Sequence, residues 1–166
     1  MIDKFDGRFR FLSNFYPCEI EYQGITYPSN ENYYVAMKIN DMQLINGRMI
    51  TINDAREYVA TIKDPGVVKR FGRSIKVRKD WDDVKLKVME YGVRQKFKNE
   101  ELKEMLLSTG DQELVEGNYW HDIYWGKCIC NKCGGGQNNL GKILMSVRDD
   151  IRNGPSSMRS PLATSD

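Results

Sequence analysis

The stretch CEIEYQGITYPSNENYYVAMK constrains the fold more than any other part of the chain, because its apolar periodicity changes within a few residues. Cys18, Ile20 and Tyr22 alternate with polar neighbours, Gln23-Gly24 supplies a tight turn, and Ile25 and Tyr27 resume the alternation, which predicts a β-hairpin. Past Pro28 and Ser29 the spacing becomes helical, with Glu31, Tyr34, Val35 and Lys38 falling on one face. A strand pair therefore hands over to a helix at the position of Glu31.

Further helices follow from the same periodicity argument. From Asp54, the spacing of Ala55, Tyr58, Val59 and Ile62 predicts a packing helix that ends at Asp64-Pro65-Gly66. Trp81 to Phe97 forms the strongest pattern. Asp83, Lys87, Glu90, Arg94 and Lys98 make a polar stripe, while Trp81, Val84, Val88, Met89, Tyr91, Val93 and Phe97 cover the rest, so this helix is expected to be central. Asn99 is placed to cap a helix carrying Leu102, Met105 and Leu106, with Gly110 as its left-handed terminator. A last helix starts near Asn138 or Asn139 and turns Leu140, Ile143, Leu144, Val147 and Ile151 inward. The expectation is an α+β, mostly helical single domain over residues 1–152, with a small antiparallel sheet from the early hairpin and residues 113–116. The Ser-, Pro- and Gly-rich segment 153–166 is expected to be a flexible tail that buries little.

The 166 residues suffice for one core, and 40% hydrophobic with 29% charged residues is ordinary for a globular chain. With 25 basic against 23 acidic residues, the net charge of +2 creates no global field for nucleic acid or membrane, so any anion site must be local. No apolar run is long enough to span a bilayer and the N-terminus lacks a signal-like apolar segment, which predicts a cytoplasmic protein with no membrane partner. Lys69, Arg70, Arg73, Lys76, Arg78 and Lys79 form a local basic run, read first as a solvated face and second as a phosphate contact. Three of the four cysteines, Cys128, Cys130 and Cys133, crowd into six residues, which does not suit a disulfide framework. They supply three soft ligands where structural zinc needs four. His121 or Cys18 completes the set only if the fold brings it close, so the expectation is reduced thiols and no metal.

Three blocks carry the chemistry: FLSNFYP, YPSNENYYVAMK, and EGNYWHDIYWGK followed by GQNNLGKILMSVR. Their order and content resemble the NADAR family, which includes YbiA-like proteins, over about residues 5 to 152. The resemblance implies a YbiA-like fold and hydrolysis of an anomeric C–N bond. The family is associated with N-glycosidase activity on riboflavin-pathway ribosylamine phosphates in one branch, and with ADP-ribosyl glycohydrolase activity in others. The family's glutamate falls on Glu31, its D-x-x-W-G block on Asp122, Trp125 and Gly126, its aromatic before the central helix on Trp81, and its LSN block on Ser13 and Asn14.

Cleavage of an N-riboside builds positive charge on the sugar, which a carboxylate stabilises, and a second carboxylate can assist the leaving nitrogen. Glu31 and Asp122 are thus the candidate catalytic pair. The first helical turn favours ionised Glu31, whereas burial beside Tyr33, Tyr34 or a tryptophan opposes it. Lys38, two turns on and about 10 Å along the axis, is out of reach for direct pairing but can hold a substrate phosphate. Tyr34, Trp81 and Trp125 are candidate stacking surfaces, and Asn138 a candidate ligand for phosphate or ribose as well as a helix cap. His121, the sole histidine, is left outside the catalytic set. No cofactor is expected. The partner is a ribosyl-phosphate or ADP-ribosyl substrate, free or attached to nucleic acid or protein. The competing readings are a module that binds ADP-ribose or a nucleotide without cleaving it, and a nucleic-acid-binding protein using residues 69–79. The oligomeric state is left open.

Overall fold

A computed structural model describes residues 1–154, so the tail expected from 153 lies, past Gly154, outside the described residues. The fold is α+β, and its helices and short strands fall into two compact units: Ser13–Lys96, and Met1–Leu12 together with the chain from Phe97 onward.

In the Ser13–Lys96 unit, β1 (Pro17–Tyr22) and β2 (Ile25–Ser29) form the expected antiparallel hairpin. Gln23 and Gly24 both take positive φ at its turn, the conformation that matches the twist of the paired strands. Helix α1 (Asn30–Met37) follows without a loop, capped by Ser29, whose side chain accepts from the Asn32 N–H. A second hairpin, β3 (Gln43–Ile45) and β4 (Arg48–Ile50), turns at Asn46-Gly47. Then come α2 (Ile52–Thr61), α3 (Pro65–Gly72) and α4 (Trp81–Lys96).

Two expectations change here. Asp64-Pro65-Gly66 opens a helix as well as ending one: Asp64 accepts from the Gly66 N–H at 2.8 Å and Pro65 occupies the first helical turn, where its missing N–H costs nothing. The centre of this unit is α1 rather than α4. Seven of the eight α1 residues are buried, and the helix packs on α2, α3, α4 and both strands of the first hairpin. Burial in α4 is confined to Met89, Gly92, Val93 and Lys96 in its C-terminal half. A helix as polar as NENYYVAM can be the hub because its asparagines bond to neighbouring elements, as set out below. Its own Val35 and Ala36 join Ile20, Tyr27, Ile39, Ala55, Val59 and Val68 in the core. The rings of Tyr22, Tyr27, Tyr33 and Tyr91 meet in tilted and edge-on pairs 5.5–6.1 Å apart, each adding about 0.5–1.5 kcal/mol beyond area burial.

The second unit holds a 3-10 helix (Gly7–Leu12), α5 (Glu100–Leu107), β5 (Gly117–Asn118), β6 (Lys127–Cys128) and α6 (Asn139–Asn153). Asn99 caps α5 and Gly110 takes a positive φ past its end, as the sequence predicts. Leu102 and Leu106 from α5 and Leu140, Leu144 and Val147 from α6 are buried. Arg148 is buried with them and donates to Thr109 Oγ1 at 2.8 Å. The antiparallel strand expected at 113–116 is instead a parallel bridge from Leu114 to Ile2, and β5–β6 is also parallel. Among the described residues no helix is long and apolar enough to cross a membrane.

Candidate active site

The Ser13–Lys96 unit gathers Ser13, Asn14, Glu31, Tyr34, Lys38 and Trp81. Glu31 stands in the first turn of α1, 8% exposed, and its backbone N–H donates to the Asn14 carbonyl at 3.0 Å. The residues flanking it anchor the turn. Asn30 donates to Asn14 Oδ1 at 2.8 Å and to Met89 Sδ at 3.3 Å. Asn32 donates to the carbonyls of Val59 and Ile62, both at 2.8 Å, which ties α1 to the end of α2. The LSN and SNEN blocks are therefore one interlocked device, in which Asn14 meets α1 through both its backbone oxygen and its side chain. Ser13 Oγ accepts from the Phe15 N–H, which shapes the turn. Gly92 permits the approach of α4: a Cβ there would stand 2.0 Å from Asn30 Oδ1, a buried atom with no hydrogen-bond partner among the described residues.

Lys38 caps the C-terminal end of α1 with its ammonium 5.1 Å from the centre of the Tyr34 ring and 5.8 Å from that of Trp81. The two rings meet edge-on at 5.0 Å. Burial holds Lys38 below the ordinary lysine value; the charge of Glu31 pulls it back up, while Arg73, Lys69 and Lys85 push it further down. Glu31 and Lys38 are thus electrostatically coupled. The basic run divides: Lys69 and Arg73 act on Lys38, whereas Lys76 pairs with Asp41 and Arg78 with Asp80.

Lys96 is the residue that sequence reasoning missed. It is wholly buried, donates to the Ser13 carbonyl at 2.7 Å, and lies 5.8 Å from the centre of the Tyr16 ring. Burial lowers it to about 8, against a small opposing pull from Cys18. The signal was present: Lys96 follows Met89, Gly92 and Val93 at helical spacing, on the buried stripe of α4.

The other unit gathers Asp122, Trp125, Gly126 and Asn138. Asp122 Oδ1 accepts from the backbone N–H groups of Tyr124, at 3.1 Å, and Trp125, at 2.8 Å. Asn118 brackets the same residue, donating to the Asp122 carbonyl at 2.9 Å and accepting from its N–H at 3.1 Å. Asp122 is thereby fixed at the head of a tight turn. Trp125 meets Tyr124 edge-on at 4.7 Å. Gly126 is buried because the chain passes too close for a side chain, whose Cβ would stand 2.1 Å from the Glu116 carbonyl oxygen. Asn138 departs from the expected cap. Its side chain makes no capping bond; it donates to the Leu114 carbonyl and accepts from the Glu116 N–H, and its backbone takes a left-handed φ of 54°. Both polar ends of this buried side chain face the protein backbone.

Next to Asp122, the His121 ring turns toward the cysteine loop. Its Nδ1 lies 3.1 Å from Cys133 Sγ, 3.4 Å from Cys130 Sγ and 3.8 Å from Cys128 Sγ. The fold thus supplies the fourth ligand position that the sequence left open.

This α+β fold, with a buried glutamate at a hairpin-to-helix junction and a late D-x-x-W-G turn, has clear relatives. The NADAR domain model matches residues 3–152, and the chain belongs to the NADAR family. It is 38% identical to a riboflavin biosynthesis protein of Vibrio vulnificus over 89% of this chain, but spans only 37% of that protein's length. It is 38% identical to an N-glycosidase of Nostoc punctiforme, covering 86% of this chain and 85% of the relative. It is 35% identical to the N-glycosidase YbiA of Escherichia coli, covering 84% and 80%. The solved NMR structure of Escherichia coli YbiA superposes with a TM-score of 0.71 at 33% identity, over 92% of this chain and 87% of that one.

Proposed function

We propose that this chain is an N-glycosidase that hydrolyses the anomeric C–N bond of a ribosylated substrate carrying phosphate. The observation that carries the reading is the placement of Glu31, a buried carboxylate locked into a helix start by Asn14, in a unit whose Lys38 is flanked by Tyr34 and Trp81 and surrounded by the charges of Lys69, Arg73 and Lys85. Relatives named N-glycosidases support the same class of reaction.

In the proposed step, the C–N bond breaks with its electron pair going to the nitrogen, and a water oxygen bonds to the anomeric carbon. One water proton ends on the leaving nitrogen. Glu31, ionised at the positive end of α1, stabilises the cationic sugar and takes the proton from the incoming water. Lys38 neutralises a substrate phosphate, with Lys69 and Arg73 adding to the local positive potential. Tyr34, Trp81 and Trp125 offer ring faces to a base or pyrimidine. Asp122, oriented by two backbone N–H groups, is the second carboxylate and assists the leaving nitrogen. Ser13 and Asn14 hold the Glu31 turn and border the sugar.

Ribosylaminopyrimidine phosphates and ADP-ribosylated nucleic acid or protein share the chemistry of a phosphate-bearing N-riboside. Each should be incubated with the wild-type protein and with Glu31→Gln, and released base and sugar measured. Product from at least one substrate with wild type, lost in Glu31→Gln, supports the proposal. Saturable binding with no product from any substrate would replace it with a non-cleaving module.

A further inference from the structure

We propose that His121, Cys128, Cys130 and Cys133 form a structural zinc site of three thiolates and one imidazole. The four ligand atoms all lie within 4.8 Å of one another. Three sulfurs converge on the same ring nitrogen at 3.1, 3.4 and 3.8 Å. A single N–H, or a single lone pair, can satisfy only one such neighbour, so hydrogen bonding does not account for the cluster. A shared cation does. Zn–S bonds of about 2.3 Å and Zn–N bonds of about 2.0–2.1 Å, set at tetrahedral angles, place nitrogen and sulfur about 3.6 Å apart.

The backbone around the cluster is shaped to the same end. His121 holds a φ of 69°, a conformation that a residue with a Cβ adopts at some cost, and it does so where its ring must reach the cysteines. Cys130 and Cys133 sit on one short turn. Cys128, buried on β6, is fixed by backbone pairing to Gly135 and by the Ile129 N–H bond to Asn118. Three protein sulfurs and one nitrogen fill a tetrahedron, which leaves no position for a substrate and assigns the ion a structural role.

That role has a place in the fold. Between β5 and α6 the chain holds few buried apolar residues, and the four ligands cross-link its two arms. His121 immediately precedes Asp122, so the ion would fasten the turn that carries Asp122, Trp125 and Gly126.

The full chain, produced in zinc-supplemented medium and purified without chelator, is expected to carry one zinc per chain by elemental analysis. Three of its four cysteines should resist a thiol reagent until a chelator is added. Cys130→Ser and Cys133→Ser should each lose most of the zinc, and Cys18→Ser should keep it. Cobalt exchanged into the wild type should show thiolate-to-metal charge-transfer absorption, with a ligand-field spectrum that shifts in His121→Ala. That substitution alters an exposed side chain and guards against misfolding of the cysteine variants. A folded wild-type chain without metal and with four freely reactive thiols would overturn the proposal. So would zinc retained undiminished in both Cys130→Ser and Cys133→Ser.

Discussion

The two regions that carry the candidate carboxylates are built on opposite plans. Glu31 sits on a helix that is the hub of its unit, with its polar flanks anchored in α2, α4 and the LSN turn. Asp122 sits in a segment dominated by turns, where Asn118, two backbone N–H groups and the soft-ligand cluster do the holding. Close packing around buried hydrogen bonds fixes the first, and turn hydrogen bonds with little packing around them fix the second. A core resists displacement from every side, while a hydrogen-bonded turn fails when one partner is lost. Substitutions at Glu31 should therefore separate chemistry from stability more cleanly than substitutions near Asp122.

The largest effect is expected from Glu31→Gln. The amide keeps the shape and the first-turn position but not the charge, so kcat should fall by about 10²–10⁴-fold, in the range for loss of a positioned carboxylate or general base. Circular dichroism and thermal unfolding should stay close to wild type. Full activity on a confirmed substrate would remove Glu31 from the mechanism.

Lys96 tests whether packing alone fixes the first region. Its ammonium is held under Ser13 at a cost that the unfolded chain does not bear, since burial lowers the group from 10.5 to about 8. Between those values the unfolded chain binds more protons than the folded one, so stability should rise as pH climbs from about 8 toward 10. The full shift corresponds to roughly 3 kcal/mol, at 1.36 kcal/mol per pH unit. Tyr27, pushed up to about 12 by burial, works in the opposite sense and removes stability above about 10. Lys38, also lowered by burial, adds to this rise and Cys18, raised by burial, opposes it, so urea unfolding between pH 7.5 and 9.5 reads Lys96 as the difference between wild type and Lys96→Met. In Lys96→Met the rise should be markedly smaller; a rise of the same size in that variant would assign the effect elsewhere.

Gly92→Ala probes the interlock directly. Asn30 Oδ1 would have to leave the new methyl group, and the Asn30–Asn14 bond would go with it. Overpacking of this kind costs about 1–3 kcal/mol. Activity should fall as well, because Asn14 also holds the Glu31 backbone. An alanine variant with unchanged Tm would mean that α4 simply shifts, and that the helix start is less tightly set than its contacts indicate.

What the sequence disclosed follows the same division. The hairpin, the handover to α1, the capped helix α5 and the apolar face of α6 were legible because each rests on local periodicity and turn chemistry. The burial of α1 was not. Asn30 and Asn32 look like surface residues until the partners at 14, 59, 62 and 89 are known, and those partners lie 16 to 59 residues away. Asn138 misled in the opposite way: its type and position fit a helix cap, but its side chain bonds residues 114–116 instead. The fourth ligand beside the cysteines could not be assigned either, because one histidine seven residues before Cys128 has no standard spacing. Glu31 itself owed its prominence to a family block, since spacing alone fitted a surface glutamate equally well.

Asp122 gives the smallest effect and the sharpest contrast with Glu31. Asp122→Asn retains an oxygen able to accept from Tyr124 and Trp125, so the turn should survive with stability within about 0.5 kcal/mol of wild type. Asp122→Ala loses the one oxygen that accepts both bonds and should cost about 1–2 kcal/mol, with partial release of the adjacent His121. If Asp122 assists the leaving nitrogen as proposed, the asparagine variant should lose about tenfold in kcat/KM, or roughly 1.4 kcal/mol of transition-state stabilisation. Activity equal to wild type in the asparagine variant but reduced in the alanine variant would show that the carboxylate serves only the turn. Glu31 would then carry the acid–base chemistry without it.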